Sequence, residues 1–494
     1  MNTYISLLIL LQIFNFSYPN NKLIFLYTHF RHGARSPGSL VNSFSDSMGQ
    51  NWTEVGELTG VGERMHYLLG IRNRQKYIEE GKLLSEKYDP HEMLIYSTNF
   101  NRTLISCASQ LQGWYPQRVN LGDILNDKQE KNSYPPLLEY NRDEYINNIT
   151  EELNNSALPY RMMLAPIKII DEEMGYNIPN LEKCSEKIDE IIKNNTKNSK
   201  ELNDSINEFI NKYNEKLNKY KKYELNINSI VTICDVFTCD YTDGRDFTEF
   251  KNITGIDIDN LNNDCLNYFD IYFHYIYNSD KDKIIARYES SSFLRYIFFY
   301  MKRRLDTNIS EIDEDSNYAD YSRPRMIMKS GHDTTLIFDL FFFIKALDLN
   351  ETEIYKYPQF ASQLAIEIKA NKDNCKQYSD YYVEGYYNNK TIFNISADVF
   401  FDKVENIIFT DEKLKDYCEI DQDDNTDNTD NTNNEKKSDT AKKAYKILMI
   451  IFICLSAIFL AIIIILAYQI YKLKKANYLQ DNHNNTSNIA IKNN

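Results

Sequence analysis

The chain has 494 residues, with 71 Asp and Glu against 56 Lys and Arg, a formal net charge of −15. That acidity argues against a nucleic-acid surface and suits a small anionic substrate where basic side chains are gathered locally. The length allows one large or two ordinary domains, and the 38 tyrosines and frequent Asn runs read as compositional bias rather than as stacking platforms.

Residues 5–14, Ile5 to Phe14, form a short apolar stretch that cannot span a bilayer and fits the core of a signal peptide over residues 1–18. A strand is then expected from Lys22 to Tyr27, running into Arg31-His32-Gly33-Ala34-Arg35-Ser36-Pro37. A histidine between two guanidiniums in a Gly/Pro loop suits phosphoryl transfer. Arginine forks match phosphate oxygens and stay charged at any working pH, and an imidazole beneath the phosphorus attacks in line. The candidate nucleophile is His32, with Arg31 and Arg35 as phosphate ligands. The plain alternative is a basic surface loop that happens to contain a histidine.

Met93-Leu94-Ile95 reads as a second strand, and Leu104 to Leu111 as a helix with Arg102 at its start, where backbone N–H groups favour an anion. A polar stretch with helical periodicity covers Ile188 to Leu225. Arg325 to Lys329 reads as a buried strand ending in Ser330-Gly331-His332-Asp333-Thr334-Thr335, so a histidine and an acid again sit at the carboxyl end of a strand. His332 is a candidate phosphate ligand and Asp333 a candidate general acid. His29, His66, His91 and His274 fall outside these motifs and are expected to be packed or surface histidines.

With these three segments in order, the chain resembles the histidine acid phosphatases, in particular the prostatic and lysosomal branch. Glu57-Leu58-Thr59-Gly60-Val61-Gly62-Glu63-Arg64-Met65-His66-Tyr67-Leu68-Leu69-Gly70 looks like that family's second helix signature, and Gly113-Trp114-Tyr115-Pro116 follows the third-arginine helix. The resemblance covers most of residues 22–418. It implies an α/β core of the phosphoglycerate-mutase type with an inserted, mainly helical cap at roughly 136–279. It also implies His32 as nucleophile, Arg31, Arg35, Arg102 and His332 as phosphate ligands, Asp333 as general acid, and no metal or cofactor. A Cys184–Cys418 disulfide is implied in the same way.

Some positions depart from that pattern. Tyr96 and Asn101 stand where relatives carry Arg and Asp, Ala34 where an acid is frequent, and Met65 where the helix signature favours Gln. Asn101 can still cap a helix. It also creates a glycosylation sequon, expected to be unused because a glycan would obstruct the pocket. Other sequons stand at Asn51, Asn148, Asn194, Asn252, Asn308, Asn350, Asn389 and Asn394.

Residues 419–446 are acidic, rich in Asn and Thr, and read as a disordered stalk. Residues 447–468 carry no charge and are long enough to cross a bilayer, leaving 469–494 as a cytoplasmic tail of a single-pass type I protein. Lysosome, food vacuole and cell surface stay open, since Tyr468, Tyr471 and Tyr478 lack a lysosomal tyrosine-motif spacing. Seven cysteines outside that span meet an oxidising environment, and Cys234 with Cys239 is a plausible local pair, with zinc as the competing reading.

The expected function is acid phosphatase action on small phosphate monoesters through a phosphohistidine, with a homodimer left open. The alternatives are a narrower inositol-phosphate or lysophospholipid phosphatase, or an impaired ectodomain acting as a surface receptor or adhesion protein. Three arginines and His332 should depress the proton affinity of His32, while Asp333 needs a proton to donate, so a bell-shaped rate profile on the acid side is expected.

Overall fold

The computed structural model describes residues 22–38, 52, 54–116, 124–135, 144–170, 181–221, 225–278, 282–306, 324–371 and 375–419. The expected signal peptide, the 447–468 span, the tail and all but the first residue of the stalk lie outside these. Among the described residues no helix is long and apolar enough to cross a membrane.

Three strands, β1 (Lys22–Arg31), β2 (Met93–Ser97) and β4 (Met326–Gly331), are apolar runs buried almost throughout. Parallel strands adopt this pattern when helices cover both faces of their sheet. They pair in parallel in the order β2-β4-β1, with β3 (Lys168–Ile169) beside β2 at one edge. Beyond β1 the sheet continues antiparallel through β5 (Gln363–Ala370), β6 (Tyr381–Tyr387) and β7 (Lys390–Ser396). The β6–β7 hairpin turns on Asn388 and Asn389 at φ 47° and 67°, the left-handed pair that matches strand twist. β3 falls within 136–279, so part of the stretch expected to be cap belongs to the sheet.

The helices follow in chain order. α1 (Gly60–Arg74) and α2 (Asn101–Trp114) cover one face over Leu26, Met93, Met328, Leu111 and Trp114. The cap comprises α3 (Leu181–Asn198), α4 (Lys200–Tyr220), α5 (Ile227–Thr242), α6 (Thr248–Thr254) and α7 (Ile258–Asn278). α8 (Ile284–Leu305), α9 (Asp333–Leu347) and α10 (Ala397–Ile407) cover the other face over Tyr27, Leu94, Ile327, Leu340 and Phe343. This is the mixed α/β fold expected.

The helical periodicity of 188–225 resolves into α3 and α4, broken at Ser199, whose hydroxyl accepts from Leu202 N at 3.1 Å and caps α4. The cap core, with Phe209, Phe237, Phe250 and Tyr268, also contains Ile337 and Phe341 of α9. The cap is therefore fastened to the helix that begins at Asp333.

Among the described residues two disulfides form. Cys184 bonds Cys418, as the resemblance implied, with Cα atoms 5.3 Å apart. Cys234 bonds Cys265 and so ties α5 to α7. The expected Cys234–Cys239 pair is thus wrong. Both residues lie on α5, where five residues of helix rise about 7.5 Å and turn the two side chains apart, outside disulfide reach. The zinc reading of that spacing falls with it. Cys107, Cys239 and Cys375 take no part in these two disulfides.

Candidate active site

Sheet register sets the geometry. Arg31 pairs with Gly331 and Ser97 with Ser330, and two further bonds carry the ladder past the strand ends: His32 N to Gly331 O at 2.9 Å and Thr98 N to Ser330 O at 3.1 Å. The loops leaving β1, β2 and β4 therefore meet at one edge, the carboxyl end where open α/β sheets hold ligands. α1 is pressed onto the first of these loops. A Cβ on Gly33 would lie 2.5 Å from Gly62 O, and one on Gly62 would lie 2.2 Å from Ala34 O. Thr59 caps α1 by accepting from Gly62 N and donates its own N–H to Ala34 O. This contact accounts for the Thr59 to Gly62 run.

His32 is buried. Its Nδ1 lies 2.9 Å from Gly33 O, and because a carbonyl only accepts, Nδ1 carries the proton and Nε2 keeps its lone pair. Burial first, then Arg31 and Arg35, push its pKa well below the ordinary imidazole value. The neutral, nucleophilic form persists into acid.

Arg31 is held at both terminal nitrogens and against two rings. Nη2 pairs with Asp333 Oδ2 at 2.8 Å, Nη1 donates to Pro358 O at 2.6 Å, and the guanidinium lies 4.4 Å from the Phe360 ring centre and 5.1 Å from that of Tyr357. Tyr357 donates its hydroxyl to Asp333 Oδ2 at 2.7 Å. Burial works to raise the Asp333 pKa, but Arg31, the Tyr357 hydrogen bond, His32 and Arg35 outweigh it and hold the carboxyl well below the usual range. In the free site these contacts favour the carboxylate over its protonated form.

Arg35 is paired by the cap. Nη2 meets Asp235 Oδ1 at 2.7 Å and Nη1 meets Oδ2 at 3.3 Å, while Gly38 N donates to Oδ2 at 2.8 Å and Cys239 Sγ lies 3.6 Å from Nη1. Burial opposes the Arg35 charge, but Asp235 chiefly offsets this and raises its pKa.

Arg102, the second residue of α2, reaches His332 Nδ1 from Nη2 at 3.4 Å and lies 4.6 Å from the Phe100 ring centre. Its Nη1 meets the carbonyl of Gly56, a residue at φ 69°. The Thr103 hydroxyl donates to the carbonyls of Thr98 and Phe100. Thr98 must then donate to Thr103 Oγ1, which leaves His332 Nε2 to donate to Thr98 Oγ1 at 3.0 Å. Burial first, then Arg102, pushes His332 down to about 4. The His32 and His332 rings stand 5.6 Å apart. Arg31 Nε and Arg102 Nε are buried donors with no hydrogen-bond partner among the described residues.

All six residues singled out in the sequence thus come together. The two positions around Arg102 that depart from the family pattern lie apart from these six. Asn101 does not cap α2: the cap position is Phe100, and the Asn101 amide donates to Glu57 Oε1 at 3.2 Å at the exposed rim. Tyr96 faces away from the site into the sheet core and shares a 2.6 Å hydrogen bond with Tyr296. Asp235, Tyr357 and Phe360 carried no sequence signal, since each reaches the site across a large sequence separation.

Beneath the site lies a buried network. His29 Nδ1 pairs with Asp339 Oδ2 at 2.7 Å, Tyr27 donates to the same oxygen at 3.0 Å, and Lys329 Nζ lies 3.7 Å from it. His29 Nε2 contacts Thr335 Oγ1, which also accepts from His332 N at 2.9 Å. His29 is thus a packed histidine, as expected, under the His332 turn. A cavity of about 150 Å³ opens beside Arg31, Tyr357 and Phe360 towards α5 and α7. A larger one of about 360 Å³, between α4 and α7, contains none of the six residues.

A sheet whose parallel strand ends deliver a histidine between arginines, with a His-Asp pair opposite, defines the class. The profile described as Histidine phosphatase superfamily (branch 2) matches residues 16–388, and the chain belongs to that family. It is 37% identical over 100 residues to the lysosomal acid phosphatase of Xenopus laevis, a stretch covering 20% of this chain and 22% of that protein. It is 36% identical over 98 residues to the prostatic acid phosphatase of Homo sapiens, covering 19% of this chain and 24% of that protein. These alignments span only about a fifth to a quarter of the relatives' length. The Hafnia alvei phytase structure aligns with 78% of this chain and 97% of its own at 12% identity, with a TM-score of 0.48.

Proposed function

We propose that the protein is a metal-independent acid phosphatase that hydrolyses phosphate monoesters through a phosphohistidine on His32. The observation that carries this reading is the unprotonated His32 Nε2 set among three guanidiniums, two of which keep a buried donor without a protein partner. A buried unsatisfied charged donor is costly, and a phosphoryl oxygen supplies what each lacks.

In this reading Arg31, Arg35 and Arg102 hold the phosphoryl oxygens, and His332 joins them when the bound anion takes its Nε2–H in place of Thr98 Oγ1. His32 Nε2 forms the bond to phosphorus as the bond to the ester oxygen breaks, and Asp333 gives that oxygen its proton. Water then attacks the phosphohistidine with Asp333 as base. Because the free Asp333 is ionised, its proton has to arrive with the substrate. A phosphate monoester loses its second proton near pH 6. Below that, the monoanion carries a proton into the site, and its own charge raises the proton affinity of Asp333. An acid-side optimum follows from that shared proton rather than from free Asp333 titrating.

The apolar 447–468 run after an acidic stalk supports a type I membrane anchor, with the catalytic unit on the luminal or outer side. Lysosomal and prostatic relatives favour a lysosomal or secreted setting. The test is hydrolysis of 4-nitrophenyl phosphate by the purified full chain, without metal, from about pH 4 to about pH 8. Turnover peaking on the acid side supports the reading; a maximum above neutrality or dependence on an added metal contradicts it.

A further inference from the structure

The cavity beside Arg31 is where an ester's alcohol would lie once its phosphoryl group rests over His32. Met65 of α1, Leu266 and Phe269 of α7, and Phe360 give it one apolar wall, and Thr238 of α5 and Asn262 of α7 add uncharged polar groups, whose Oγ1 and Oδ1 atoms are buried without a hydrogen-bond partner among the described residues. Met65 thereby gains a role, since the glutamine favoured at that position would place an amide in this wall. The charged residues that line the cavity are Arg31 and Asp235, and both are engaged: Arg31 with Asp333 and Asp235 with Arg35.

Charge balance points the same way. Three arginines face two carboxylates, Asp333 and Asp235, which leaves one net positive charge while the histidines are neutral. One phosphoryl group is enough to neutralise that. Glu57, whose charge Arg102 senses from the rim, lowers the balance further. A second phosphate on the alcohol would find no uncommitted cation in the cavity and would face the Asp235 carboxylate. In a partly buried setting water screens such a like-charge contact poorly, so it opposes binding.

Resting on the phosphatase reading, we propose that Asp235 is a specificity-determining residue: from the cap it aligns Arg35 and forms the acidic wall of the alcohol chamber, restricting substrates to phosphate monoesters of uncharged alcohols and rejecting those that carry further phosphates. Its alignment role stands on the two-point contact with Arg35 and the Gly38 N–H. Its selective role stands on its place in a cavity with no other carboxylate and no free cation among the described residues. Specificity of this kind is set by what the wall repels as well as by what it holds.

The experiment compares kcat/KM for phenyl phosphate and myo-inositol hexakisphosphate in the full chain, in Asp235→Asn and in Asp235→Glu. Binding of inorganic phosphate and of the hexakisphosphate is measured calorimetrically on the same samples. The wild type should favour phenyl phosphate by about 100-fold or more, Asp235→Asn should narrow that ratio about tenfold, and Asp235→Glu should keep it. A ratio unmoved by Asp235→Asn, or a wild type that hydrolyses both esters alike, overturns the proposal. Met65→Lys, which places a cation in the same wall without touching Arg35, must also narrow the ratio, so failure of Asp235→Asn to fold leaves the proposal open to refutation. If neither ester is hydrolysed, the phosphatase reading fails by itself, and the binding ratio still decides whether Asp235 sets anion selectivity. If inorganic phosphate does not bind either, both readings fall.

Discussion

Arg31 and Arg35 flank the same histidine but belong to different halves of the site. Arg31 ends β1 and pairs with Asp333 at the start of α9, so both members of the pair are placed by neighbouring parallel strands. Arg35 lies four residues later in a loop, and its partner Asp235 comes from the cap, 200 residues away. The sheet half is fixed by backbone ladders and glycine contacts that tolerate no extra carbon. The cap half is fixed by side chains, a Cys234–Cys265 disulfide and a shared core with α9. On the proposed reading, the phosphoryl chemistry is placed by the sheet and the selection of the alcohol by the cap.

The largest effect expected on the sheet side is from Asp333→Asn, which keeps the shape but cannot pass a proton. It should lower kcat by about 10² to 10⁴, with alkyl phosphates losing more than 4-nitrophenyl phosphate, whose alcohol leaves unaided. Equal losses on both esters would show that Asp333 only positions Arg31.

Next, the two arginine pairs should differ in their structural weight. Arg31→Ala strands the Asp333 carboxylate and should cost about 3–5 kcal/mol of stability by denaturant unfolding. Asp235→Ala should cost only about 1–3 kcal/mol, because Arg35 keeps its bond to the Ser36 carbonyl. Equal costs would erase the distinction between the two halves.

Acid should weaken the sheet half even as it favours turnover. Burial holds His29, His66 and His332 down to about 4, whereas the unfolded chain protonates its histidines near 6.5. In the window between those values the unfolded state binds more protons. Stability is therefore fullest above about pH 6.5 and declines towards pH 4, by at most about 1.4 kcal/mol per pH unit for each histidine. Thermal unfolding followed from about pH 7 to about pH 4.5 should show Tm falling, and His29→Gln should flatten the slope. A flat profile in the wild type would contradict the burial of these rings.

The smallest effect is expected from Tyr96→Phe. Losing the hydroxyl contact with Tyr296 should cost about 1 kcal/mol and leave kcat/KM unchanged, because the ring faces α8 rather than the phosphate site. A loss of activity would place Tyr96 in the site and contradict this orientation.

The sheet half was largely legible in the sequence because each of its site residues ends an apolar strand or follows one by one or two positions, and local patterning locates strand ends. Arg102 was legible for the same reason, although the capping role expected of Asn101 went to Phe100. The cap half was not. Asp235 sits mid-helix among Cys234 and Val236 with nothing to distinguish it from a solvated acid, and only tertiary packing turns it towards Arg35. Cys234 misled for a related reason, since sequence proximity suggested Cys239 while helix geometry sends its sulfur to Cys265. Tyr357 and Phe360 lie in a loop before β5, where no periodicity marks which ring faces the site.

The most direct test of the central claim is to trap the covalent intermediate. The full chain is mixed rapidly with excess 4-nitrophenyl phosphate and quenched in alkali, which preserves phosphohistidine, and the digest is read by mass spectrometry alongside the nitrophenol burst. Phosphorylation on His32, stoichiometric with the burst and absent from His32→Ala, is the predicted result. Turnover without phosphoryl-His32, or a phosphoryl group found on another residue, would contradict it.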